Sequence, residues 1–258
     1  MARKPALPAQ DSGEGNTMTR ATAVYERLRA DIGDGLLAPG TKLRVEAISK
    51  RYGVGASPLR EALSRLSAEG LVLRNDQRGF SVAPLDWAEL PLLTDTRVRL
   101  ESLALRDAVA ARSTEWEDRL VVLLHRLGRT PRSLSSETHQ PNPVWESLHR
   151  EFHRALLAPC PSRWLRSFCD QLADEAYRLR QVAAGHGASK RNVHAEHQAI
   201  FEAAIAGRAE EAVSHLARHY RTTAEMVASA AGTPFEPAGA DDPRALRRKL
   251  RKSPTFSP

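Results

Sequence analysis

The sequence predicts a mainly α-helical protein: an N-terminal winged helix-turn-helix of three helices plus a small β-hairpin, then an all-α bundle. Two observations carry this. Between residues 43 and 84 a short helix, a glycine turn, a second helix and a hairpin follow one another without interruption. Beyond residue 84 no strand pattern recurs, and apolar residues repeat at helical spacing as far as residue 231. The expected division is a disordered extension at 1–17, the winged part at 18–84, the bundle at 85–231 and a disordered basic tail at 232–258.

In chain order, residues 19–35 form a first helix with Val24, Leu28 and Ile32 on one face. Pro39-Gly40 turns the chain into a short helix over 45–52, whose apolar residues are Ala47 and Ile48. Gly53-Val54-Gly55 is a tight turn. In the second helix Ser57 is expected to cap the free N–H groups, with Pro58 at the first helical position. Leu59, Ala62, Leu63 and Leu66 face inward, Arg60, Ser64 and Ser67 face outward, and Gly70 stops the helix. Residues 71–74 and 79–82 read as hairpin strands around 75–78. After Pro84, Asp86 caps a long helix from 87 to about 112, followed by one over 115–127. A Ser, Thr, Pro and Arg-rich loop spans 128–142, and helices follow near 143–157, 162–184, 189–206 and 209–231.

Composition narrows the function. The chain has 258 residues, 41% hydrophobic and 27% charged, enough for a sizeable core and for solubility. No apolar run is long enough to cross a membrane, and no signal-peptide core opens the chain, so a cytoplasmic location is expected. Cys160 and Cys169 make no disulfide framework and read as small buried hydrophobes. The net charge of +7 is uneven. Residues 18–84 hold 11 basic against 7 acidic residues, residues 85–240 hold 19 against 20, and residues 241–258 hold 6 against 2. Positive charge thus gathers in the winged part and the tail, as phosphate neutralisation requires.

A helix-turn-helix whose second helix starts with small residues and an arginine suits DNA. Small side chains let the helix N-terminus approach phosphate through its backbone N–H groups. The candidate DNA contacts are Arg60 first, then Lys42, Arg44, Gly55, Ala56, Ser57, Arg65, Arg78 and Gly79.

Of nine histidines, seven follow residue 148. His149 and His153 are four apart on one expected helix, so they share a face. His197 and His219 lie on the last two helices, which antiparallel packing would bring level. Imidazoles so placed suit a metal site in a bundle. Spacing alone leaves a second reading open, that of core or surface histidines.

Gly40-Thr41-Lys42-Leu43, Ser57-Pro58-Leu59-Arg60-Glu61-Ala62-Leu63, Glu69-Gly70-Leu71-Val72 and Gly79-Phe80-Ser81-Val82 together resemble the winged helix of GntR-family regulators. The resemblance runs closest to the FadR-like branch with an FCD ligand-binding domain, over roughly residues 20 to 230. Phe152-His153-Arg154-Ala155-Leu156 resembles the FHxAL element of FCD domains, and Glu196-His197 through His219 the closing element.

The resemblance implies a regulator, expected to be a repressor, that binds a pseudo-palindromic operator in double-stranded DNA as a homodimer and answers to a small carboxylate effector. It also implies a divalent ion held by one Asp and three His, matching His153, His197 and His219; the Asp position is His149 here. Four imidazoles leave the ion's charge uncompensated and make zinc or nickel the expected metal. Arg97, in a stretch resembling the opening FCD helix, and Arg178 are the candidate carboxylate clamps. Two other classes stay in play: a metal-dependent hydrolase using the His cluster near Glu146, Glu151 and Glu196, and a structural DNA binder. The chain carries no H-E-x-x-H, nucleophile elbow or phosphate loop.

Overall fold

The structure is a computed structural model that describes residues 19–75, 79–135, 140–183 and 191–236. The expected terminal extension and basic tail lie outside the described residues, apart from 232–236.

In the N-terminal part, α1 (Arg20–Gly33) starts where the Thr19 hydroxyl accepts the N–H of Thr22. A two-residue strand β1 (Lys42–Leu43), α2 (Val45–Tyr52), α3 (Ala56–Ala68), β2 (Val72–Asn75) and β3 (Gly79–Val82) follow. The antiparallel sheet has the order β1-β3-β2, with Leu43 opposite Phe80 and Val72 opposite Val82. β1 was not expected, since two residues carry no alternation to read; it exists because Leu43 docks on the core beside Phe80.

Two boundaries of α3 need comment. Gly55, not Ser57, is its N-cap, and no side chain caps it. The helix therefore starts one residue early, with Ser57 and Pro58 inside its first turn, where a missing proline N–H costs no helical bond. The other end is as expected. Gly70, at φ 75°, lets its own N–H reach Ser67 O and that of Leu71 reach Leu66 O, the paired closure of a glycine-terminated helix. Leu28, Ile32, Leu43, Leu59, Leu63 and Leu66 fill the core between α1, α3 and the sheet.

The second part is a helical bundle. Asp86 caps a 3-10 turn (Trp87–Glu89) that runs into α4 (Leu90–Ala110), so the long helix expected from residue 87 is regular only from Leu90. Then come α5 (Thr114–Arg129), α6 (Pro143–Leu157), α7 (Arg163–Ala183), α8 (Val193–Ile205) and α9 (Ala209–Ala230). Caps explain the starts: Ser113 accepts from Trp116, Asn142 from Val144 and Asn192 from Ala195. The bundle core holds Leu105, Leu120, Phe152, Leu156, Ile200 and Leu216, all essentially without exposure.

The two parts meet along α1 and α7. Arg29 reaches Asp174 at 2.6 Å, and the Tyr177 hydroxyl donates to Asp34 at 2.7 Å. Leu85 and Trp87 pack against Leu90, Leu179 and Val227, so the connection is seated on the bundle.

Candidate functional site

On the winged part, α3 buries Leu59, Ala62, Leu63 and Leu66, which turns Ser57, Arg60 and Ser64 to solvent on one stripe. Gly55 and Ala56 at its start are exposed too. Arg60 has no acidic partner among the described residues, so its guanidinium is available to a base or a phosphate. Lys42 and Arg44, flanking buried Leu43, are exposed on the same chain segment. Gly79 opens β3 with φ 86°, while Arg78 lies outside the described residues. Arg65 is placed differently from expectation. Its guanidinium sits 4.0 Å from the Tyr25 ring centroid and reaches Thr22, which ties it to α1.

In the bundle, α6 places His149 and His153 one turn apart, α8 contributes His197 and α9 contributes His219. One ligand atom from each lies within 4.8 Å of all the others. The Nε2 atoms of His149 and His153 are 3.2 Å apart, and the rings of His197 and His219 are 4.7 Å apart. Burial, reinforced by neighbouring imidazoles and arginines, pushes His149, His153 and His197 well below the usual imidazole range; burial likewise brings His219 down to about 4 despite Glu196. All four are therefore held neutral, the form that ligates metals.

The surroundings orient these rings. His153 Nδ1 lies 3.1 Å from the Tyr220 hydroxyl, which donates to Glu101 at 2.5 Å. His219 Nδ1 lies 2.8 Å from Glu196 Oε2, and Arg191 clamps that carboxylate with two N–H groups. Burial works to raise the Glu196 carboxyl, but hydrogen bonds from His219 and Arg191 outweigh it and hold it at about 2. With their Nδ1 atoms so engaged, His153 and His219 have Nε2 left for a ligand, the arrangement that carboxylate–histidine pairs give metal sites. His149 stacks on Trp145 at 4.7 Å.

His197 decides whether an ion fits. It is fully buried, and neither ring nitrogen has a hydrogen-bond partner. Packing histidines normally satisfy at least one nitrogen, since an unpaired buried polar group costs about 1–3 kcal/mol. The 3.2 Å Nε2 separation also matches two imidazoles sharing one ion at about 2.0–2.1 Å each. The residues fit a metal.

Beside this cluster lies a cavity of about 470 Å³ between α4, α6, α7 and α9, reached by His149, His153 and His219. Arg97 lines it as expected, but it is paired to Glu101 at 2.5 Å and lies 3.8 Å from the Tyr220 ring centroid. Arg178 is not in the wall. Its buried guanidinium donates to the Ala83 carbonyl and so fastens the inter-domain connection. The reason is register on α7: Tyr177 and Arg180 face the cavity, and Arg178, between them, faces another way. Sequence reasoning missed Tyr220, Glu101 and Arg191 as supports of the cluster. Only Tyr220, adjacent to His219, offered any signal.

The family model described as bacterial regulatory proteins, gntR family, matches residues 20–82, and the FCD domain model matches residues 92–222. The HTH-type transcriptional regulator BphR of Paraburkholderia xenovorans is 39% identical over 217 residues, covering 82% of this chain and 86% of that protein. The chain belongs to the GntR family, in the group that carries an FCD domain. The HTH-type transcriptional repressor GlaR of Escherichia coli is 31% identical, covering 80% of this chain and 94% of that protein. In fold, E. coli McbR/YncC aligns with a TM-score of 0.70 at 19% identity, covering 83% of this chain and 99% of that one. As a GntR/FCD protein the chain is a DNA-binding transcriptional regulator and not an enzyme, which sets aside the hydrolase reading. Among the described residues no helix is long and apolar enough to cross a membrane.

Proposed function

We propose that this regulator is a metal-dependent acid sensor, a cytoplasmic repressor whose grip on its operator is set by a small carboxylate bound in the bundle. The observation that carries the reading is His197, fully buried with both nitrogens unpartnered inside a four-histidine cluster. His149, His153, His197 and His219 would hold one divalent ion, zinc or nickel by ligand type. Bound there, the ion supplies a positive centre able to bind an organic acid. The chain's own residues do the rest. Glu196 and Tyr220 hold the His219 and His153 rings, Arg191 holds Glu196, and Arg97 is neutralised by Glu101 instead of serving as the clamp.

On the DNA side two copies would present two α3 helices to a pseudo-palindromic duplex. Arg60 makes the sequence-reading contact, and Lys42, Arg44 and Ser57 meet phosphate. The repressor sense follows the names of relatives such as GlaR.

Metal analysis of the full-length protein, purified without chelators, tests the metal. About one zinc or nickel per chain is expected, with none in His197→Ala. A metal-free native protein that acids still stabilise against heat would remove the ion from the reading.

A further inference from the structure

The arginines around the cavity fall into two sets. Arg97 is paired with Glu101 at 2.5 Å, Arg150 with Asp174 at 2.7 Å and Arg154 with Asp170 at 2.8 Å. Arg180 is paired with Glu146, and Arg119 faces Glu151 at 3.6 Å. These five are answered from within the chain.

Arg163 and Arg166 are not. Both line the cavity and both are exposed, which puts them at its open end. They stand three apart in the first turn of α7 and so share a side of it. Arg166 donates to the Ala158 carbonyl at 3.2 Å, and Arg163 lies 4.3 Å from the Trp164 ring centroid. Neither has a carboxylate within ion-pair reach among the described residues.

The two ends of the cavity therefore differ in kind. The inner end presents neutral imidazoles, and under the reading above a metal ion. The outer end presents two guanidinium groups whose forked N–H donors suit a carboxylate. Positive charge at two ends with apolar and paired groups between them matches a ligand bearing an anionic group at each end.

We infer that the effector is a dicarboxylate, one carboxylate seated at the His149, His153 and His219 end and the other held by Arg163 and Arg166. This rests on the acid-sensing reading and adds what sets its specificity. A single-ended acid would fill the inner end and leave both arginines in water. The second contact is solvent-facing, so its contribution is moderate: a dicarboxylate should bind about 5- to 20-fold more tightly than the monocarboxylate of equal length.

The test is calorimetric titration of the full-length protein with succinate, glutarate and adipate against butanoate, pentanoate and hexanoate. Wild type and the Arg163→Ala/Arg166→Ala double variant are compared, with metal content measured alongside. The inference expects at least one dicarboxylate to outbind its partner in wild type. In the double variant that preference should vanish, with monocarboxylate affinity and metal content unchanged. An Arg163→Lys/Arg166→Lys variant, which keeps charge and loses the fork, should retain part of the preference, and it serves if the alanine variant melts early. Equal binding of the two acid classes, or a preference that survives in the alanine variant, overturns the dicarboxylate assignment and leaves acid sensing intact. Failure of every acid to bind wild type overturns both.

Discussion

At the residue scale, two arginines on α3 separate reading DNA from holding the fold. Arg60 is exposed and has no acidic partner among the described residues, whereas Arg65 packs on Tyr25 and reaches Thr22. Arg60→Ala should weaken operator binding about 5- to 150-fold, the equivalent of one bidentate base contact at roughly 1–3 kcal/mol, with the melting temperature unchanged. Arg65→Ala should do the reverse, costing about 0.5–1 kcal/mol of stability from the lost ring contact and little operator affinity. Gel-shift titration and thermal melting of both variants check the pair; equal loss of affinity in the two would dissolve the distinction. Sequence placed both residues on α3 but could not separate them. Which one meets a neighbouring tyrosine depends on how α1 packs, a tertiary fact with no local signature.

At the element scale, α7 connects the cavity to the winged part. Asp174 on its cavity face accepts Arg29 of α1 at 2.6 Å through one oxygen, and Arg150 at 2.7 Å and Arg154 at 3.4 Å of α6 through the other. One carboxylate thus serves a cation from the winged part and two from the cavity wall. An acid entering the cavity competes for Arg150 and Arg154, which frees Asp174 to hold Arg29 alone. Its binding thereby biases how α1 sits on α7. Asp174→Asn should leave acid binding and operator binding each within a few-fold of wild type. The ratio of operator affinities with and without acid should collapse toward one, from the roughly 5- to 150-fold of a typical allosteric coupling. A ratio unchanged in the variant would place the coupling elsewhere.

Elements were the most legible level in the sequence. Caps at Thr19, Asp86 and Asn142 and the stop at Gly70 have local causes, and helical spacing marked each long helix. β1 was hidden because two residues have no period, and α3 begins at Ala56 because a glycine cap leaves no mark in side-chain chemistry. The site was legible in part. His149 and His153 announce themselves by spacing. By contrast, the convergence of α6, α8 and α9, which brings His197 and His219 to them, is a property of packing, and family resemblance alone foretold it. Arg178 misled because arginine type says nothing of which side of α7 it takes; it fastens Ala83 instead.

At the scale of the whole molecule, the winged part and the bundle have separate cores, and the contacts between them run through α1, α7 and the seated connection at Leu85 and Trp87. A ligand can alter operator affinity only by its different affinity for the arrangements these contacts allow. A duplex selected by the protein from a random library supplies an operator. The affinity of the full-length, metal-loaded protein for that duplex, measured by fluorescence anisotropy with and without saturating dicarboxylate and then after metal removal, tests the acid-sensing account most directly. The account predicts that the acid weakens operator binding about 5- to 150-fold, and that metal removal abolishes this response while the protein still binds DNA. An affinity that stays the same with acid bound, or a response that persists without metal, would contradict it.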